Sequence, residues 1–206
     1  MTTIKEIQAL ELEAIYRIML KRIGKGYTAE QLSFLIGAPE RYIQEIETLE
    51  RPFYTPQDLE RITIALEESN PESLFPRSEN ESIYRIIVSN SFEQGKFVHA
   101  YYRVYDDDQQ EELFRLYEEG SPEFDDMMKS EETLDLVGDT IDVMIRTGYF
   151  YEPKSPYEIF KTINNLRPEP INSYFIQFAL ERFQSDGNGK LRLVVSTEEA
   201  YCYEQC

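Results

Sequence analysis

Four basic side chains near the start of the chain have the type and spacing suited to phosphate contacts. They are Arg17, Lys21, Arg22 and Lys25. No acidic residue occurs between Glu13 and Glu30. Lysine and arginine neutralise nucleic-acid phosphates, and four such contacts predict a log–log slope of affinity against salt of about −3.6 per subunit. An ordinary solvated helix face would have the same composition, so both interpretations stay open at this point.

The sequence contains no group of residues with the spacing of an enzyme active site or of a metal centre. Residues 106–108, three successive aspartates, lack the alternating spacing of a calcium loop and fit a hairpin turn better. "DGNGK" begins at Asp186, but the twelfth position is Thr197 instead of glutamate, so a turn is again favoured. His99 lies in an aromatic segment without a nucleophile pattern and is interpreted as structural. We therefore predict no enzyme, no metal and no cofactor.

The two cysteines, Cys202 and Cys206, are close to the end of the sequence. Without further ligands nearby they do not suggest a metal site. Reduced thiols are expected over a disulfide because we predict a cytoplasmic location. That location follows from the absence of a secretory pattern in "MTTIKEIQAL" and of an apolar run of roughly 20 residues.

Acidic residues dominate the chain, but unevenly. The formal net charge is −18 over 206 residues. Residues 71–137 carry 6 basic and 17 acidic side chains, whereas residues 1–70 carry 8 and 12, and residues 138–206 carry 7 and 10. The repulsion of a polyanion therefore comes mostly from the middle of the sequence.

Several helices must position the basic residues. Apolar residues at helical spacing predict a first helix over residues 4–24, and "TAEQ" from Thr28 has the pattern of a capping box for a second. Gly37 permits a tight turn, and Pro39 suits the first turn of a third helix. Thr55 and Pro56 suit the start of a fourth helix.

Two short helices joined by a glycine turn and flanked by further helices form a helix-turn-helix. On "TAEQLSFLIG", "YIQEIE" and "TPQDLERITIAL", residues 12–68 resemble the lambda-repressor/Cro-like (XRE) helix-turn-helix family. The resemblance implies that the third helix lies in the major groove of double-stranded DNA. It also implies that the basic cluster can approach the phosphate backbone.

The same resemblance implies four base-reading candidates: Glu40, Arg41, Gln44 and Glu45. Arginine can pair with guanine and glutamine with adenine, whereas a carboxylate near phosphates mostly repels. Two positions depart from the family pattern. Ala29 stands where the family often has a glutamine that touches phosphate, and Pro39 replaces a polar residue that opens the third helix. Each departure removes a positioning contact.

The rest of the chain differs from residues 1–68 in composition and in predicted secondary structure. Residues 69–82 have the composition of a linker. "IYRIIVSN", "KFVHAYYRVY" and "EELFRLYEE" predict an antiparallel β-meander over residues 83–119. Helical patterns follow within residues 131–184, with Ser155, Pro156 and Glu158 as a capping box, and a hairpin is expected over residues 190–204. Three helices and a hairpin suit either a winged helix or a small helical domain closed by a hairpin.

The predicted fold is therefore α+β. It has a helix-turn-helix domain at residues 1–68 and an α+β domain at residues 83–206, in which the meander packs with the helices. The function expected first is a DNA-binding transcriptional regulator, a homodimer whose remaining residues dimerise or sense a partner. Two alternatives stay open: a protein-binding adaptor with a degenerate helix-turn-helix, and an acidic mimic of DNA.

Overall fold

The chain has an α+β fold, as the sequence predicts. The computed structural model describes residues 3–74, 82–120, 130–184, 189–196 and 200–206. These residues form seven α-helices, a four-stranded antiparallel sheet and a separate two-stranded hairpin. Residues 75–81 of the predicted linker, residues 186–188 and Thr197 lie outside the described residues.

The chain divides into two compact units. Unit 1 contains Met1–Ala29 and Ile43–Ser121, and unit 2 contains Glu30–Tyr42 and Pro122–Cys206. This division differs from the predicted domains, because the meander groups with the N-terminal helices. The two central helices of the predicted helix-turn-helix also fall into different units.

Unit 1 is built on a sheet in the order β1-β2-β3-β4. Strands β2 (Ile83–Glu93), β3 (Lys96–Val104) and β4 (Gln110–Glu119) form the expected meander. The first turn has left-handed backbone at Gln94 and Gly95, with φ of 53° and 82°, which matches the twist of a tight hairpin.

The first strand, β1 (Lys5–Gln8), corrects the prediction that a helix begins at residue 4. Its residues pair antiparallel with β2, from Lys5 opposite Ile86 to Gln8 opposite Ile83. Helix α1 (Ala9–Gly24) starts only after this strand, where Gln8 and Glu11 form a capping box. The N-terminus thus belongs to the sheet, which explains why the predicted domain boundary differs from the observed units.

Helices α1, α3 (Tyr42–Glu47, apart from its first residue) and α4 (Pro56–Ala65) complete unit 1. Helix α4 begins as predicted, since Thr55 accepts from the main-chain N–H of Asp58 and Pro56 occupies the first turn. The third predicted helix starts later than expected, at Tyr42 instead of Pro39. The core of unit 1 includes Leu12, Ile15, Ile18, Met19, Ile43, Ile46, Ile62, Leu66, Ile86 and Tyr101.

Unit 2 consists of helices and a hairpin. It contains α2 (Ala29–Leu35) apart from its first residue, α5 (Glu131–Arg146), α6 (Pro156–Asn165) and α7 (Ser173–Gln184). Ser155 caps α6 with Glu158 in a capping box, as predicted. Its core includes Leu32, Leu35, Val137, Ile141, Phe150, Ile159, Ile163, Ile176, Ala179 and Leu180.

The hairpin of unit 2 pairs β5 (Leu191–Val195) with β6 (Tyr201–Gln205). The outer edge of β6 is held by two main-chain contacts. Tyr203 exchanges hydrogen bonds of 2.8 and 2.9 Å with Lys154, and the Tyr201 N–H donates to the Gly37 carbonyl at 2.7 Å. The hairpin therefore fixes the loop that follows α2. In this hairpin Cys202 is buried, and it is not joined to the exposed Cys206.

Candidate DNA-contacting residues and an acidic groove

The basic residues singled out in the sequence lie on α1 and just after it, in unit 1. Arg22 lies seven residues after Ile15 and three after Met19, so it shares their buried face. Its side chain is 0% exposed. A phosphate group cannot reach the guanidinium in this position.

Carboxylates occupy the guanidinium of Arg22. Its Nε and Nη2 donate to the two carboxylate oxygens of Glu47 at 2.9 and 3.0 Å. Nη2 also donates to Glu118 Oε2 at 3.0 Å, and Nη1 donates to the Tyr27 carbonyl at 2.7 Å. The two-pronged contact with Glu47 has the geometry that makes arginine–carboxylate pairs strong.

His99 extends this network. Its Nε2 lies 3.1 Å from Glu118 Oε2, and its Nδ1 lies 3.0 Å from Asn90 Oδ1. We call Arg22, Glu47, Glu118 and His99 the Arg22 cluster. The hydroxyl of Tyr101 donates to the Glu47 carbonyl at 2.5 Å, which ties the end of α3 to the sheet beside the cluster.

The electrostatics of the cluster differ between its two carboxylates. Burial raises the pKa of Glu47, and the charge of Arg22 only partly offsets this effect. Burial also acts to raise the pKa of Glu118, but the hydrogen bond with His99 and the charge of Arg22 outweigh it and lower that pKa. The attraction of both carboxylates raises the pKa of Arg22 despite its burial, so the arginine stays charged.

The other three basic candidates are also paired with carboxylates. Arg17 pairs with Glu13, one helical turn earlier. Lys21 lies 2.9 Å from Glu68, and Lys25 lies 3.0 Å from Glu67. The two partners Glu67 and Glu68 follow Leu66, which caps the C-terminal end of α4. Every basic residue predicted to contact phosphate is therefore compensated within unit 1.

The four base-reading candidates are divided between the two units. Glu40 and Arg41 are exposed in the turn before α3 and belong to unit 2. Gln44 and Glu45 lie in α3 and belong to unit 1. Gln44 is exposed, whereas Glu45 is half-buried and lies 3.0 Å from Arg51. Helix α3 has only 6 residues, so it offers little surface for a groove of DNA.

Gln31, from the predicted capping box of α2, makes a contact with a residue distant in sequence. The side chain of Gln31 is buried, and its Nε2 donates to Asn172 Oδ1 at 2.5 Å. Both residues belong to unit 2. This bond fixes α2 to the segment before α7.

Unit 2 contains a groove that sequence reasoning did not find. The loop from Gly37 to Glu40 forms one wall, and α7 forms another through Gln177, Glu181 and Gln184. These three α7 residues follow one another at helical spacing, so they share a face. The groove has a volume of about 180 Å³. We call it the acidic groove.

The hairpin completes the acidic groove. Leu193, Tyr201 and Tyr203 line it from β5 and β6, and Phe34 and Pro156 contribute further apolar surface. Leu193 is 48% exposed and Tyr201 is 37% exposed, whereas Tyr203 is buried. Burial and the nearby Glu181 carboxylate raise the pKa of Tyr203.

The charged side chains among the described residues that line this groove are carboxylates, those of Glu40 and Glu181. Two basic residues, one just before β5 and one in it, are paired with carboxylates that do not line the groove. Lys190 lies 2.5 Å from Asp142, and Arg192 lies 2.7 Å from Glu204. Apolar surface with uncompensated carboxylates at its rim is suited to a ligand that is both apolar and basic.

A second cavity lies in unit 1, between α1 and the sheet. It has a volume of about 370 Å³ and is lined mainly by Ala9, Leu10, Leu12, Glu13, Tyr16, Tyr84, Leu113 and Phe114. The Glu13 carboxylate in its wall is paired with Arg17. Within the described ranges, no group of three or more His, Cys, Asp or Glu side chains is placed to hold a metal ion. In the same ranges, no helix has the length and hydropathy needed to cross a membrane.

Comparison with known proteins adds no relative. No protein-family model matches the chain, and no curated protein and no solved structure matches it significantly.

Proposed function

We propose that this protein is a protein-binding module whose partner presents a basic segment. The observation that carries the proposal is the pairing of all four candidate phosphate contacts with carboxylates of the same unit. A phosphate group would have to replace an existing carboxylate at each of them. Since one of the four is fully buried, that replacement would also disturb the core of unit 1.

The overall charge favours the same conclusion. A chain of net charge −18 repels DNA at long range and attracts a basic protein surface. The local signals that suggested DNA contact, a short basic stretch and a glycine turn, are consistent with a degenerate helix-turn-helix that contacts protein.

Display selection on the immobilised protein tests this function. A random library of short extended peptides is selected at about physiological salt, where exposed charges are screened beyond roughly 8 Å. We expect the enriched sequences to combine lysine or arginine with aliphatic residues. Enrichment of acidic or uncharged sequences, or of none, would contradict the proposed function.

A further inference from the structure

We infer that the acidic groove of unit 2 is the docking site, and that its occupant is an extended segment in which arginine or lysine is flanked by aliphatic residues. The inference rests on the proposed function and adds the place and the chemistry of the contact. It concerns unit 2 alone, since every residue that lines the groove belongs to that unit.

The walls of the groove are well fixed. Gly37 has a φ of 67°, and its carbonyl accepts from the Tyr201 N–H at 2.7 Å. A Cβ at this glycine would lie 2.5 Å from the Tyr201 carbonyl oxygen, so the close approach of loop and hairpin requires glycine. A groove with fixed walls costs less to order when a ligand binds.

Charge complementarity identifies the occupant. Glu40 and Glu181 are exposed, and neither has an ion pair among the described residues, although Gln177 Nε2 donates to Glu181 Oε1 at 3.3 Å. Tyr201 and Leu193 beside them offer apolar surface to the methylene groups of an arginine or lysine side chain. The guanidinium or ammonium group would then reach the carboxylates at the rim.

A polar group in the wall favours a peptide over an isolated cation. The Nε2 atom of Gln184 is buried and has no hydrogen-bond acceptor in the part of the chain that the structure describes. Buried donors normally have a partner. A main-chain carbonyl of a bound segment can satisfy this amide after a rotation of the side chain.

A second copy of this chain is a poorer occupant. Two copies would bring together net charges of −18 each, and like charges disfavour association. The described hairpin residues that line the groove, Leu193, Tyr201 and Tyr203, also include no basic side chain to meet the carboxylates of a second copy.

The test is fluorescence anisotropy with a labelled ten-residue peptide in which arginine alternates with leucine. We expect the double variant Glu40→Gln with Glu181→Gln to weaken binding about tenfold. The matched control, Asp139→Asn with Glu169→Gln, removes the same charge from exposed positions outside the groove. It should change the affinity by less than about twofold.

A second pair of variants tests the apolar part of the contact between the groove and the peptide. Leu193→Thr should weaken the same peptide several-fold, because it removes apolar surface from the groove. Val195→Thr is the control, since Val195 is 63% exposed in the same strand but does not line the groove. Both changes keep a residue that is favourable in strands, so the hairpin should persist.

The results of these experiments distinguish failure of the groove as the binding site from failure of the proposed function. Equal weakening by the two double variants would overturn the groove while leaving a basic partner in place. Failure of the peptide to bind, when display selection has enriched basic sequences, would likewise overturn the groove. A concentration-dependent dimer that Leu193→Thr dissociates would show that a second copy is the occupant and overturn the inference.

Discussion

The Arg22 cluster in unit 1 and the acidic groove in unit 2 use carboxylates in opposite ways. In the cluster, Glu47 and Glu118 both bind one buried arginine, so the protein itself supplies their basic partner. In the groove, Glu40 and Glu181 line an apolar surface without a basic residue in its described lining. The comparison shows that a strongly acidic chain can compensate its charges in one region and leave them available in another.

The position of the carboxylates accounts for this difference. Those of the cluster come from a helix end and a strand that pack directly on α1, so they are partly desolvated and need a counter-ion. Those of the groove stand in water at its rim, where they cost little in the absence of a ligand. We therefore expect ligand binding at the carboxylates of the groove, which have no basic partner in its described lining.

The largest effect is expected at the cluster. Arg22→Met removes the arginine from both carboxylates and leaves only His99 beside Glu118, and removing one member of a buried ion pair costs about 3–5 kcal/mol. Urea unfolding at neutral pH measures the free energy of unfolding. Lys21→Met is the control, because the pair of Lys21 with Glu68 is partly exposed and should contribute at most about 1 kcal/mol. Equal losses in the two variants would contradict the distinction.

The next effect is expected at the wall of the groove. Gly37→Ala combines a left-handed backbone with a contact of 2.5 Å between the new Cβ and the Tyr201 carbonyl oxygen. A cost of about 2–4 kcal/mol is expected, with weaker peptide binding. Gly138→Ala is the control, since that helical glycine has nothing within 4 Å and alanine should stabilise α5 by up to about 1 kcal/mol. Thermal unfolding of both variants is the measurement: Gly37→Ala should lower the unfolding temperature, and Gly138→Ala should raise it.

A smaller effect concerns pH. The pKa of Glu118 is lower in the folded protein than in the unfolded chain, so its ionised form stabilises the fold above the unfolded value of about 4.3. This stability is lost as the pH falls through the lower folded pKa. Glu47 has a raised pKa, so its contribution has the opposite sign and is lost as the pH rises.

Glu118→Gln tests this pH dependence. The variant should be less stable than the wild type at neutral pH, and the two urea midpoints should converge as the pH falls below about 5. Arg22 and His99 face this carboxylate and remain in place in the variant. If the urea midpoints of the variant and the wild type stay equally far apart over the acid range, Glu118 is not responsible for the pH dependence of stability.

The smallest effect is expected at the exposed end of α1. Lys25 and Glu67 lie 3.0 Å apart at the surface, and such pairs typically contribute about 0–1 kcal/mol. Lys25→Met should therefore change the free energy of unfolding within that range, and about 1 M salt should abolish the difference. A loss that persists at high salt would indicate a contact other than the ion pair.

Much of the fold follows from local signals. Thr55 with Pro56 and Ser155 with Pro156 mark helix starts because capping involves neighbours along the chain. The strand β1 could not be predicted in this way. Its four residues fit a helical pattern, and they become a strand only through pairing with β2, which is distant in sequence.

The candidate site was harder to predict. One signal for the burial of Arg22 was present, since its position continues the apolar face of α1 from Ile15 and Met19. Its partners Glu47 and Glu118 are 25 and 96 residues away, so no local pattern reveals them. The acidic groove combines a loop, a helix and a hairpin, and its existence depends on the pairing of Gly37 with Tyr201.

The most direct test of the central claim is a paired titration of the wild-type protein with labelled random duplex DNA and with the arginine–leucine peptide, over a salt series. The account predicts that the peptide binds and that the duplex does not, even at low salt. Duplex binding with a log–log salt slope near −3.6, lost in the double variant Lys21→Glu with Lys25→Glu, would contradict it.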